Sequence, residues 1–120
     1  MTIHIKRIYE EPAPTDGRRI LIDRLWARGM SKARAQVDAW MKELAPSNEL
    51  RQWYQHDPEK WQAFQVRYFK ELDAQPEAVA ALLAEASAGP ITLLFSSRET
   101  QRNNANALKA YLENHATPSS

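Results

Sequence analysis

Six basic side chains crowd one short window of this 120-residue chain. Arg18, Arg19, Arg24, Arg28, Lys32 and Arg34 stand against a single acid, Asp23. The window carries a net +5, which leaves −4 for the rest of a chain whose total is +1. Arginine presents a planar fork of donors that fits phosphate and carboxylate. Arg24 and Arg28 are therefore candidates for an anion pocket; the competing reading pairs Asp23 with one arginine and leaves the other charges in solvent. A second candidate is the run Ser96-Ser97-Arg98-Glu99-Thr100, between the most apolar segment of the chain and a helical pattern. Free amides at a helix N-terminus attract anions. Ser96, Ser97 and Arg98 would add donors there, and Asn103 and Asn104 would orient a ligand. Against this, Glu99 or Thr100 can cap the helix while the serines satisfy turn amides.

Proton transfer has two candidates. His56 is the side-chain type best matched to neutral pH, although its place before Asp57-Pro58 also suits a surface or capping residue. Asp23, beside the arginines, is the other. His4 and His115 share no ligand spacing with His56, so no metal site is read, and no cofactor is expected. Nor is there a glycine-rich phosphate loop, which disfavours P-loop and Rossmann nucleotide binding. Trp53, Tyr54, Trp61, Phe64, Tyr68 and Phe69 recur at helical spacing and read as core. Trp26, between Arg24 and Arg28, either shapes the basic pocket, with an arginine stacked on it, or plugs the core beside it.

These residues need elements to hold them. Residues 3–9, with Ile3, Ile5 and Ile8, read as a strand; so do residues near 19–24, around Ile20-Leu21-Ile22, and residues near 91–96, around Ile91-Thr-Leu-Leu-Phe95. Apolar runs without alternation suit strands covered on both faces. Arg24 then leaves a buried strand at the end where open α/β sheets place ligands. Between the strands, Val37, Trp40, Met41 and Leu44 fall at i, i+3, i+4 and i+7 and predict a helix over 32–45. Ser47 caps a short helix with Leu50, Trp53 and Tyr54. Asp57-Pro58-Glu59 starts another, with Trp61, Phe64, Tyr68 and Leu72. Pro76 opens a third, which Gly89 closes as a C-terminal glycine cap. Ala105, Leu108, Tyr111 and Leu112 face inward from a last one. The expectation is an α/β fold: a single compact domain over 1–115, a small, mostly parallel sheet flanked by helices, and a disordered tail over 116–120.

The 43% apolar and 26% charged fractions are those of a globular protein, and the absence of cysteine removes disulfides and thiolate catalysis together. The near-neutral total argues against a cationic coat for nucleic acid. The first residues lack the pattern of a secretory signal and no apolar run approaches the ~20 residues of a membrane span. Cytoplasm is the expected location, and no membrane association is read.

Asp23-Arg24-Leu25-Trp26-Ala27-Arg28-Gly29 resembles the "DRLWPRG" signature of the domain-of-unknown-function family numbered 488, in its short YeaO-like branch. The resemblance continues through Trp40-Met41-Lys42-Glu43-Leu44-Ala45-Pro46-Ser47, His56-Asp57-Pro58, Trp61, Phe64, Tyr68 and Glu71-Leu72. It ends with Ile91 to Phe95, Arg98 and Asn103-Asn104-Ala105, covering residues 3–113. It implies a compact bacterial α/β domain whose motif includes Asp23, Arg24, Trp26, Arg28, His56, Asp57, Arg98, Asn103 and Asn104. Three departures stand out: Ala27 for a common proline, Ser96-Ser97 for small apolar residues, and Glu99 for an aspartate. Longer relatives often carry a cysteine near the position of Ser96, so their thiol chemistry does not transfer. The functional expectation is a site for a small anion bearing phosphate, sulfate or carboxylate, built on Arg24, Arg28 and the turn from Ser96 to Asn104. The alternative is a non-enzymatic interaction module for a protein or nucleic-acid partner. The sequence decides neither turnover nor oligomeric state.

Overall fold

The apolar run Ile91–Phe95 becomes the strand on which the sheet is built. The computed structural model describes residues 1–116. Its four strands are β1 (Ile3–Arg7), β2 (Arg18–Leu21), β3 (Ala39–Trp40) and β4 (Ile91–Phe95), in the order β1-β4-β2-β3. All three pairings are parallel, with Ile5 and Ile20 flanking Leu93 in register. Every residue of β4 is buried, as befits a strand with a neighbour on each side and a core on each face. Three strands lie near the expected positions but end sooner, so Asp23, Arg24 and Ser96 stand just past the strand ends. The helices are α1 (Lys32–Ala35), α2 (Asn48–Tyr54), α3 (Trp61–Asp73), α4 (Pro76–Ala88) and α5 (Asn104–Ala116). Ala116, expected in the tail, closes α5; the rest of the expected disordered segment, 117–120, lies outside the described residues.

Alternation along the strands divides the core. Ile3, Ile20, Ile91, Leu93 and Phe95 pack on one face with Phe64, Tyr68, Leu72 and Leu82 and with Leu108 and Leu112 of α5. Leu21 and Leu94 point to the other face and meet Ile8, Ala27, Met30 and Ala35. The chain leaving β2 therefore covers the second face and the chain leaving β4 covers the first. The carboxyl ends of these two neighbouring strands diverge, which opens a crevice in a parallel sheet.

One element differs from the sequence reading. Residues 32–45 do not form one continuous helix. Ser31 caps a single turn, and Gln36 ends it in the left-handed region at φ 49. The chain then pairs with the free edge of β2: the Asp38 amide donates to the Arg19 carbonyl at 2.8 Å and the Met41 amide to the Leu21 carbonyl at 2.9 Å. The apparent helical stripe is two groups on opposite faces of the sheet. Val37 and Trp40 pack with the smaller core, Met41 and Leu44 with the larger. A smaller correction concerns Gly89, which ends α4 in extended backbone at φ 171 and not in a left-handed cap.

The basic window is also split by the fold. Arg18 pairs with Glu85 at 2.7 Å, and Arg19 pairs with Asp16 at 2.6 Å, both at the amino end of β2. Arg24 and Arg28 stand past its carboxyl end. Among the described residues, no helix is long and apolar enough to cross a membrane.

Candidate functional site

Asp23 ties the diverging strand ends together. Its Oδ2 accepts from the Ser96 amide at 2.9 Å and from the Ser96 hydroxyl at 2.8 Å, and its Oδ1 accepts from Asn104 Nδ2 at 3.0 Å. Asn104 Nδ2 also reaches the Ile22 carbonyl, and the Asp23 carbonyl accepts from Trp40 Nε1 at 2.7 Å. The pairing of Asp23 with an arginine, the competing reading of the sequence, is not made; serine and asparagine take its carboxylate instead.

Beyond this latch lies a cleft of about 770 Å³, within the range of small-molecule sites. The segment after β2 contributes Arg24, Trp26 and Arg28, the segment after β4 contributes Ser96 and Ser97, and the start of α5 contributes Asn103 and Asn104. Of the ten predicted site residues, nine line this one cleft: these seven, Asp23 and His56. Arg98 does not; it is exposed and outside the lining.

The arginines differ in how they are held. Arg24 donates from Nε and Nη2 to the Ala45 and Pro46 carbonyls at 3.3–3.4 Å, which leaves its Nη1 unbonded. Arg28 is exposed, and its backbone carbonyl accepts from the Tyr9 hydroxyl at 2.8 Å. Trp26 joins both of its proposed roles. Its Nε1 donates to the Met30 carbonyl at 2.7 Å, its ring meets the Trp40 edge at 5.5 Å in the smaller core, and it still borders the cleft. The expected arginine stack on Trp26 is absent among the described residues; cations sit instead over Tyr9, Trp40 and Trp53.

The second anion signal is rearranged. The final helix begins at Asn104, so Ser97 is not at its N-terminus. Asn103 caps it: Oδ1 accepts from the Asn106 amide at 3.0 Å while Nδ2 donates to the Glu99 carbonyl at 2.7 Å. Neither Glu99 nor Thr100 is the cap. The Glu99 amide is taken by the Ser97 hydroxyl and the Gln101 amide by the Glu99 carboxylate. Bonds to the Gln101 and Arg102 amides hold the Glu99 carboxyl below its usual range. Arg7 fixes the turn by donating to the Ser96 and Ser97 carbonyls at 3.1 and 2.8 Å.

His56 is exposed at the mouth of the cleft, in left-handed backbone at φ 55 directly after Gln55 at φ 46. Its ring lies 5.8 Å from that of Tyr54, whose hydroxyl donates to the Arg102 carbonyl. Burial, ahead of the Glu99 charge, raises the Tyr54 phenol above its usual value.

Sequence reasoning missed one wall of the cleft. Asn48, Arg51, Gln52 and Gln55 of α2 and its end also line the cleft. Their spacing is i, i+3, i+4, i+7, so a polar stripe runs beside the buried Leu50 and Tyr54. The same periodicity that found the core face finds this one. Arg51, like Arg28, has no side-chain hydrogen bond or ion pair among the described residues. Across the lining, three arginines face a single acid.

Comparison with known proteins gives the context for this cleft. The family model described as "Inactive DUF488-N3 subclade" matches residues 2–120. The chain belongs to this family. It is similar to the uncharacterized protein YeaO of Escherichia coli K12, with 41% identity over 113 residues that make up 93% of this chain and 97% of YeaO. It is also similar to the uncharacterized protein Rv3073c of Mycobacterium tuberculosis, with 37% identity over 110 residues, 92% of each chain. No solved structure gives a significant match. The membership agrees with the resemblance seen in the "DRLWARG" segment, which here forms the exit of β2 and one wall of the cleft.

Proposed function

We propose that this protein binds a small anionic molecule in the cleft at the carboxyl end of its sheet and does not turn it over. The observation that carries the reading is the uncompensated charge there: the guanidiniums of Arg28 and Arg51 have no counter-ion among the described residues, and Arg24 keeps one nitrogen free. A bound anion would supply the missing partner, with charge-assisted hydrogen bonds. Binding without turnover is favoured by Asp23, whose two oxygens already accept three hydrogen bonds. The word "Inactive" in the description of the matching subclade points the same way.

Thermal stability tests this against phosphate, sulfate, carboxylates, nucleotides and a short oligonucleotide at fixed ionic strength. A ligand selective for the folded chain adds about 2.7 kcal/mol at 100 times its Kd, enough to move the midpoint of a domain this size by several degrees. The expected result is a selective shift that Arg28→Ala abolishes while the variant stays folded. Equal shifts in the variant and the parent would remove Arg28 from the site. The alternative, an interaction module, draws on Leu25, which is 68% exposed between Arg24 and Trp26. It predicts a response to the oligonucleotide or to a protein partner and none to the small anions.

A further inference from the structure

The cleft says more about its ligand than that it is negative. Two features of the wall bear on the rest of the molecule, and the argument rests on the anion-binding reading above. The first is the charge to be met. Three guanidiniums and one carboxylate give the lining a net charge of +2, and none of the three pairs with Asp23, whose partners are Ser96 and Asn104. A carboxylate carries one negative charge, whereas a phosphate monoester carries close to two once its second proton has left at about pH 6.

The second feature is the α2 stripe, which lines the same cleft as the arginines of the β2 exit. Asn48, Gln52 and Gln55 present three carboxamides with no hydrogen-bond partner in the described chain, on either side of Arg51. A carboxamide offers both a carbonyl acceptor and two N–H donors. Such groups match hydroxyls, which also donate and accept, whereas a bare anion, which only accepts, would leave their carbonyls without a donor. A cleft of about 770 Å³ also exceeds what one phosphate group fills.

We infer that the cleft takes a phosphate monoester of a sugar, its phosphate on Arg24, Arg28 and Arg51 and its hydroxyls on Asn48, Gln52 and Gln55. A free sugar phosphate and a nucleoside 5′-monophosphate share this chemistry.

Titration calorimetry with inorganic phosphate, ribose 5-phosphate and adenosine 5′-monophosphate on the full chain tests it. Ribose 5-phosphate is expected to bind at least tenfold more tightly than inorganic phosphate, with affinity rising from pH 5 to pH 7 as the monoester becomes dianionic. Whether the adenosine compound gains or loses affinity relative to ribose 5-phosphate tells which source the cleft prefers. The double variant Asn48→Ala, Gln52→Ala alters only exposed side chains. It is expected to remove the sugar's tenfold advantage and to leave inorganic phosphate binding unchanged. Equal affinity for inorganic phosphate and both monoesters, or a double variant with the parent's preference, would overturn the sugar phosphate while leaving the anion reading intact. Binding of sulfate or a carboxylate but of no phosphate species would do the same. Binding of no anion at all would bring down both.

Discussion

A single carboxylate joins the two strands that define the cleft, and its worth is measurable. Asp23 accepts from Ser96 N, Ser96 Oγ and Asn104 Nδ2 at 2.8–3.0 Å in a half-buried setting. Hydrogen bonds to a charged group contribute about 1.5–3 kcal/mol each, and those sharing one acceptor group do not add. Asp23→Ala is expected to lower the stability of the chain by about 2–3 kcal/mol in urea denaturation. Asp23→Asn should fall between the two, because a carboxamide keeps one acceptor oxygen and loses the other. Values within about 0.5 kcal/mol of the parent for both would make Asp23 an ordinary surface acid. At this scale the sequence marks the right residue types and hides their partners. Asp23, Arg24 and Arg28 are legible because basic residues cluster there against one acid, and Asn104 because it follows the apolar run Ile91–Phe95 at the start of a helical pattern. Arg51 and Gln52 were not, because a polar stripe on a short helix reads as a solvated face until the fold sets it against the end of a sheet.

Elements were legible where one periodicity served one environment. In α3 the spacing of Phe64, Tyr68 and Leu72 describes a helix with one buried face, and the structure buries those three. Over 32–45 the same spacing arises by a different route, with side chains sent to opposite faces of the sheet, and no pattern in the segment alone separates the two cases. The missing information is the free edge of β2, which only the assembled sheet supplies. Gly17 shows a similar dependence on a distant partner. It enters β2 at φ 65, and a Cβ there would stand 2.0 Å from the Pro90 carbonyl oxygen, while the adjacent Arg18 amide donates to that oxygen at 3.0 Å. No side chain can move aside, since the obstacle is backbone at the start of the central strand. Gly17→Ala is therefore expected to cost about 3 kcal/mol or more, through backbone strain and the displaced β2–β4 entry. Gly29, also at positive φ but with nothing within 4 Å of its missing Cβ, is the control. Gly29→Ala should cost only about 1–2 kcal/mol of conformational strain. Similar losses at the two sites would mean that the Pro90 contact does not constrain the entry.

Across the whole molecule, the chain's near-neutral total conceals where its charges go, and the fold sends them to opposite ends of the sheet. At the amino end, Asp16 is buried with Arg19 and Lys6, and its Oδ2 also accepts from the Ala13 amide at 3.0 Å. Burial alone would raise its carboxyl, but the Ala13, Lys6 and Arg19 bonds outweigh that and hold it below the ordinary 3.8. A folded value below the unfolded one contributes stability above pH 3.8 that is lost as pH falls through the lower, folded value. The opposite limb belongs to α3 and α5, joined where the Tyr111 hydroxyl donates to Asp73 at 2.6 Å. Burial first, then the Asp73 bond and charge, push the Tyr111 phenol from 10 up to about 12. Here the folded value lies above the unfolded one, so the contribution is whole below pH 10 and is lost as pH rises from 10 to about 12. Buried Tyr68 and Tyr54, also raised, act in the same direction. Stability against pH should therefore show a plateau with two limbs of separate origin. Asp16→Asn is expected to cost about 3 kcal/mol on the plateau, because it leaves the Arg19 charge buried without its partner, and to flatten the acid limb. Tyr111→Phe should leave the acid limb as it is and make the alkaline one shallower. Denaturation midpoints at intervals from pH 3 to pH 12 read both slopes, and an alkaline slope unchanged by Tyr111→Phe would mean that this phenol titrates as freely in the folded chain as in the unfolded one.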